Sequence, residues 1–156
     1  MIVIDIPGVR RLELLDVVCD FNGTLALDGA LIDGVRERLA TLAALSTVHV
    51  VTADTFGAAR AALDGLDLRL TVLGAGDQAQ AKAAYVSRCD AERTAAIGNG
   101  KNDSAMLAKA ALSIAVVGPE GAAAAALAAA DVIAPDIQAA LDLLLHTQRL
   151  VATLRR

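Results

Sequence analysis

The sequence predicts a three-layer α/β fold around a central parallel sheet. Short β-branched runs alternate with longer Ala- and Leu-rich segments at helical period. The apolar residues within the short runs are almost continuous, the pattern of strands covered on both faces. At 156 residues, without a repeat or linker, the chain has the size of one domain that buries most of its apolar surface. These three observations together imply a Rossmann-like arrangement spanning residues 1–156.

Ile2–Ile6, the turn signal Pro7-Gly8 and Leu12–Leu15 read as a β-hairpin, so residues 1–15 are an N-terminal extension that extends or covers a sheet edge. Sheet strands are expected at Asp16–Asp20, Val48–Thr52, Arg69–Leu73, Thr94–Ile97, Leu112–Val116 and Asp131–Ile133. Helices are expected at Val35–Leu45, Phe56–Leu63, Gln78–Arg88, Asp103–Ala110, Glu120–Ala129 and Ile137–Leu145. Asp54 or Thr55 is placed to cap the second, and Pro119 falls near the start of the fifth, where a missing N–H costs little. After the first strand, Leu25–Leu27, Asp28-Gly29 and Ala30–Ile32 read as a short flap hairpin, because Asp-Gly favours a tight two-residue turn. The alanine run from Ala122 is a strong helix former, and residues 146–156 form a helical tail that lies on the surface or docks on a partner subunit.

Composition excludes several functions. The chain is 56% hydrophobic, yet no apolar run approaches the roughly 20 residues that span a bilayer, so neither a membrane span nor ion transport is expected. MIVIDIPGVRR lacks the basic-then-apolar order of a secretory signal, which makes the cytoplasm the expected compartment. A net charge of -4, no basic run, and only Phe21, Phe56 and Tyr85 as aromatics argue against nucleic-acid binding. Cys19 and Cys89 belong to no CxxC or His-rich cluster and read as buried thiols. Small anions remain suitable ligands, because backbone dipoles bind them whatever the net charge.

In an open parallel sheet, ligands bind beyond the carboxyl ends of the strands, near the point where strand order reverses. Asp20 ends the first sheet strand and Thr52 the second. Gly98-Asn99-Gly100-Lys101-Asn102-Asp103 follows the fourth, and Lys82 lies on the helix before it. This places a carboxylate, a hydroxyl, an ammonium and an amide/carboxylate cluster around one crevice. Gly23 allows backbone amides to turn toward an anion, while Gly98 and Gly100 flank Asn99 in a tight loop.

These four motifs, in this order, resemble those of the haloacid dehalogenase (HAD) superfamily of phosphotransferases. They are spaced by 32 residues from Asp20 to Thr52, 30 to Lys82 and 21 to Asp103. The family's first motif is usually DxDGT and here reads DFNGT; its strand-end Thr or Ser matches Thr52 in VVTADT, its Lys matches Lys82, and its GDGxND appears as GNGKND. A closer resemblance is to the small soluble members likened to the phosphorylation domain of P-type ATPases, which carry DKTGT, TGD and GDGxND. It runs from IDIPG through TADTFG and GNGKNDSAML to RLVATLRR.

The resemblance implies that Asp20 is a nucleophile that becomes an aspartyl-phosphate. It implies that Lys82 and Mg²⁺ offset the phosphoryl charge. Thr52, Ala53, Asn102 and the backbone of Gly23 and Thr24 would hold the phosphoryl oxygens. The Mg²⁺ would rest on Asp20, the Asn22 carbonyl and Asn99, with Asp103 acting through water or by orienting Lys82. Asn22 stands where typical members carry the general acid/base and has no proton to titrate, so low turnover and good leaving groups are implied. Asn99 replaces a second acid and weakens the hold on the metal. No segment is long enough for an inserted cap, so the site is expected to be open and completed in a homo-oligomer, unless the substrate is macromolecular. The expected function is a Mg²⁺-dependent phosphohydrolase acting on a small phosphorylated substrate. The alternative is a phosphate-binding regulatory or interaction protein with little or no catalysis.

Overall fold

The computed structural model describes residues 1–53 and 57–156. Asp54 and Thr55, expected as caps, and Phe56, the expected helix start, lie outside the described residues. In chain order the elements are β1 (Ile2–Ile6), β2 (Arg10–Leu14), β3 (Asp16–Asp20), β4 (Ala26–Leu27), β5 (Ala30–Leu31), α1 (Val35–Ala43), β6 (Thr47–Thr52), α2 (Ala58–Ala62), β7 (Arg69–Val72) and α3 (Gln78–Arg88). There follow β8 (Thr94–Gly98), α4 (Ser104–Lys109), β9 (Leu112–Val116), α5 (Ala124–Ala129), β10 (Val132–Ala134), α6 (Ile137–Leu145) and α7 (Gln148–Leu154).

Six parallel strands form the sheet in the order β10-β9-β8-β3-β6-β7. The chain leaves β3 toward β6 and β7, then crosses back to β8 on the other side, so strand order reverses at β3. Period-two alternation splits the strand residues between two apolar layers. Val17, Cys19, Val48, Val50, Ala95 and Ile97 pack toward α1 and α6. Val18, Val51 and Ala96 pack toward Val86 of α3 and toward Met106 and Leu107 of α4. Both faces are thus covered, which explains the continuous apolar strands; each fully buried Val, Leu or Ile contributes about 1.5–3 kcal/mol. Cys19 sits fully buried within the first layer, and burial pushes its thiol up to about 12, consistent with an inert packing residue.

The N-terminal hairpin forms, but it does not extend the six-stranded sheet. β1 and β2 make a separate antiparallel pair. Ile2, Ile4, Ile6, Leu12 and Leu14 point inward and join the same apolar layer as α1 and α6, to which Leu150 of α7 also belongs. The flap hairpin β4–β5 closes through Asp28 and Gly29 at φ 52° and 82°, the mirror-image turn that Asp-Gly supports. Only β4, β5 and α1 separate β3 from β6, so no cap lies between them.

One helix begins later than expected. Instead of running from Glu120, α5 starts at Ala124, because Gly118 to Gly121 close a turn (Gly121 N donating to Gly118 O, 3.1 Å) and both glycines hold positive φ (42° and 73°). Pro119 therefore belongs to a loop at the carboxyl end of β9 rather than to a helix start. Cys89 is also less isolated than its sequence context suggests. Its sulfur lies with Asp16 and His49 in a group whose polar atoms are all within 4.8 Å of one another. Both His49 nitrogens are already engaged, Nε2 with Asp16 Oδ1 at 2.7 Å and Nδ1 with the Tyr85 hydroxyl at 3.0 Å. Among the described residues, no helix is long and apolar enough to cross a membrane.

Candidate active site

Asp20 is the last residue of β3, at the reversal point of the sheet. It shares its strand face with Val18, the face covered by α3. Lys82 lies one turn before Val86 on that helix, so its stem runs along the buried apolar face and delivers its ammonium to the strand ends. Lys82 Nζ donates to Asp20 Oδ1 at 2.6 Å and to Asp103 Oδ1 at 2.7 Å. Lys82 and Asp103 are 2% and 0% exposed and Asp20 6%, so three charges share a largely desolvated site.

Asp103 is held from behind. Its Oδ2 accepts the N–H groups of Asn99 (3.0 Å) and Gly100 (2.8 Å), so both carboxylate oxygens are occupied. Gly98 makes room for it: a Cβ there would lie 2.6 Å from Asp103 Cγ. Gly98→Ala is therefore expected to displace Asp103 and lower stability by about 2 kcal/mol, as overpacking does, measured by urea unfolding.

The other Asp20 oxygen faces a different set of groups. Thr24 Oγ1 donates to Asp20 Oδ2 at 2.9 Å and lies 3.1 Å from Asn99 Oδ1. Asn99 Nδ2 donates to Gly121 O at 3.2 Å, which leaves Oδ1 on the Thr24 hydroxyl. Asp20 Oδ2 and Asn99 Oδ1 thus converge on the Thr24 hydroxyl, and the Asn22 carbonyl accepts no hydrogen bond from the described residues. An all-oxygen donor set with one formal charge suits a hard divalent cation such as Mg²⁺ better than a soft metal.

Electrostatics follow burial. Desolvation, and then repulsion from Asp103, pushes Asp20 up to about 6, against the opposing pull of Lys82 and Thr24. Burial draws Lys82 downward, yet the charges and hydrogen bonds of Asp20 and Asp103 outweigh it and hold the ammonium above the ordinary lysine value. The trio carries a net charge of minus one when Asp20 is ionised.

The remaining expected residues are placed unevenly. Thr52 is buried at the end of β6 beside β3, with Ala53 exposed after it. Asn22 is exposed at the mouth, and Asn102 is exposed on the turn before α4. The backbone amides of Gly23 and Thr24 do not aim at an anion. Gly23 N donates to Ala26 O (2.8 Å) and Thr24 N to Phe21 O (3.2 Å), because the tight turn into β4 uses both internally. Thr24 contributes its hydroxyl instead, and the Asn22 N–H is the donor that the turn leaves without a partner among the described residues.

Glu120 was not expected here. A Cβ on Gly23 would lie 2.0 Å from Glu120 Oε2 and 2.9 Å from Asn99 Nδ2, so this carboxylate stands at the edge of the site. Its signal in the sequence is Gly118-Pro119-Glu120-Gly121, an acid between glycines after a strand, which helix propensity in the following alanine run obscures.

A family model for haloacid dehalogenase-like hydrolases matches residues 78–139, which contain Lys82, Asn99 and Asp103. An uncharacterised protein of Methanocaldococcus jannaschii is 50% identical over 60 residues, covering 38% of this chain and 64% of its own length. A second from that organism is 41% identical over 39 residues, 25% of this chain and 89% of its length. The chain thus spans less than two thirds of the length of the first of these relatives. Among solved structures, the cobalt-bound deoxy-D-mannose-octulosonate 8-phosphate phosphatase of Haemophilus influenzae superposes with a TM-score of 0.71 at 19% identity, over 90% of this chain and 92% of that one. The 3-deoxy-D-manno-octulosonate 8-phosphate phosphatase of Moraxella catarrhalis, solved with magnesium, phosphate and the sugar acid, gives 0.67 at 16% identity, over 91% and 94%. At these identities the likeness is one of fold.

Proposed function

We propose that this chain, whose residues 78–139 match a family model for haloacid dehalogenase-like hydrolases, is a Mg²⁺-dependent phosphohydrolase working through an aspartyl-phosphate on Asp20. The observation that carries the reading is the division of labour on that carboxylate. One oxygen is held by the buried ammonium of Lys82 (2.6 Å), and the other converges with Asn99 Oδ1 on the Thr24 hydroxyl. Asp20, the Asn22 carbonyl and Asn99 would hold the Mg²⁺, which when bound draws charge from the phosphoryl oxygens.

An ionised Asp20 oxygen attacks phosphorus as the bond from phosphorus to the leaving oxygen breaks. Lys82 offsets the charge on the phosphoryl oxygens through the transition state. Asp103, with one oxygen on Lys82 and the other on two backbone amides, orients that ammonium. Thr52, the Asn22 N–H and Asn102 would hydrogen-bond the phosphoryl group. Asn22 donates no titrating proton, so the leaving group takes its proton from water, and the same absence slows attack of water on the acyl phosphate. Good leaving groups in small phosphorylated substrates, such as acyl phosphates or nucleoside triphosphates, fit this chemistry. With no cap between β3 and β6, a neighbouring copy completes the site in a homo-oligomer, and the setting we assign is the cytoplasm.

Phosphate release from p-nitrophenyl phosphate, acetyl phosphate and ATP with Mg²⁺, compared between native protein and Asp20→Asn, tests the reading. Equal release at the uncatalysed rate by both would exclude an enzyme. It would leave the second reading, a phosphate-binding regulatory protein, which the amides at positions 22 and 99 favour. Asn22→Asp is expected to speed hydrolysis by about a hundredfold, the lower range for a restored acid/base; an unchanged rate in steady-state assays would show that the missing acid does not limit turnover.

A further inference from the structure

We propose that Glu120 supplies the negative charge that position 99 lacks, accepting a hydrogen bond from a water in the shell of the cation held by Asp20 and Asn99. This inference rests on the magnesium reading of the site. The loop that carries Glu120 is fastened to Asn99 at two points: Asn99 Nδ2 donates to Gly121 O at 3.2 Å, and Ala123 N donates to Asn99 O at 2.8 Å. That docking lays the Glu120 carboxylate against Gly23, where a Cβ would lie 2.0 Å from Glu120 Oε2. Gly23 begins the turn that follows the Asn22 carbonyl. Glu120 therefore stands beside two of the three groups assigned to the metal.

The chemistry of position 99 favours an amide over an acid there. An aspartate there would set a carboxylate oxygen against the Gly121 carbonyl and place its charge beside that of Glu120. The amide removes both repulsions, because its NH₂ donates to Gly121 while its oxygen stays on the Thr24 hydroxyl that also donates to Asp20. Asn99 and Glu120 therefore form a compensating pair in which a neutral inner ligand is matched by an outer carboxylate. Outer partners of this kind orient bound water and commonly change metal affinity by ten- to a hundredfold.

The test is Mg²⁺ affinity by calorimetry, with Mn²⁺ followed by electron paramagnetic resonance as a second readout. Glu120→Gln is expected to weaken binding at least tenfold, Glu120→Asp to recover part of it, and the double variant Asn99→Asp with Glu120→Gln to bind more tightly than Glu120→Gln alone. In the metal-free state the melting temperature of Glu120→Gln is expected to match native. Native binding with Glu120→Gln unchanged would overturn the role of Glu120 and leave the magnesium reading standing. No binding by the native protein would overturn both, and a metal-free melting temperature lowered in step with affinity would reassign Glu120 to loop structure.

Discussion

Asp20→Asn is expected to abolish phosphate release and at the same time to stabilise the metal-free protein. The loss of activity follows from removing the nucleophile and is expected to exceed a thousandfold, in line with the non-additive collapse seen when one member of a catalytic unit is removed. The gain in stability follows from burial. Asp20 is pushed up to about 6 in the fold from an ordinary 3.8, so the folded state holds a proton that the unfolded chain has released. Stability therefore falls as pH rises through roughly 4 to 6, and above that window the ionised carboxylate costs on the order of 2–3 kcal/mol. Asparagine keeps an oxygen for Lys82 and leaves Lys82 paired with Asp103, so the trio becomes neutral. In EDTA at pH 8, calorimetry is expected to show a melting temperature about 5 °C above native, with the gap closing at pH 4. A variant that melts no higher than native at pH 8 would contradict this account.

Lys82→Met is expected to be the most damaging change to the fold. It leaves two buried carboxylates facing each other without a counter-charge, a situation that costs about 3–5 kcal/mol. The ammonium of Lys82 is held above its ordinary value by Asp20 and Asp103. Its contribution is complete below the unfolded lysine value and is lost only as pH rises through the higher folded one. Denaturant unfolding at pH 7 is expected to show the full loss, and acidification toward pH 5 to recover part of it by protonating Asp20. Adding Asp103→Asn to Lys82→Met is expected to restore part of the stability but none of the activity. Additive losses in that double-mutant cycle would show that the two residues do not interact.

The strands were legible because their residues carry the pattern locally. Asp16–Asp20 and Leu112–Val116 have the bounds their apolar runs predict, and the helices Gln78–Arg88 and Ile137–Leu145 do likewise. The fifth helix was misread because alanine propensity extends backward over Glu120 and Gly121, while the positive φ of Gly118 and Gly121 belongs to a loop. The turn at Gly23 and Thr24 was misread for a related reason: glycine signals a turn, but not which amides the turn consumes. Position 120 was missed because its neighbours, Gly23 and Asn99, lie 97 and 21 residues away along the chain.

By itself the sequence determined the layer order, the strand ends and the residue types at them, because hydrophobic period and turn chemistry are local properties. Tertiary structure alone decided how those residues share charge. It put one ammonium between two carboxylates, spent both oxygens of Asp103 on Lys82 and the Asn99–Gly100 backbone, and brought Glu120 against Gly23. Coulomb energies and desolvation depend on distance and burial in three dimensions, and no spacing along the chain encodes either.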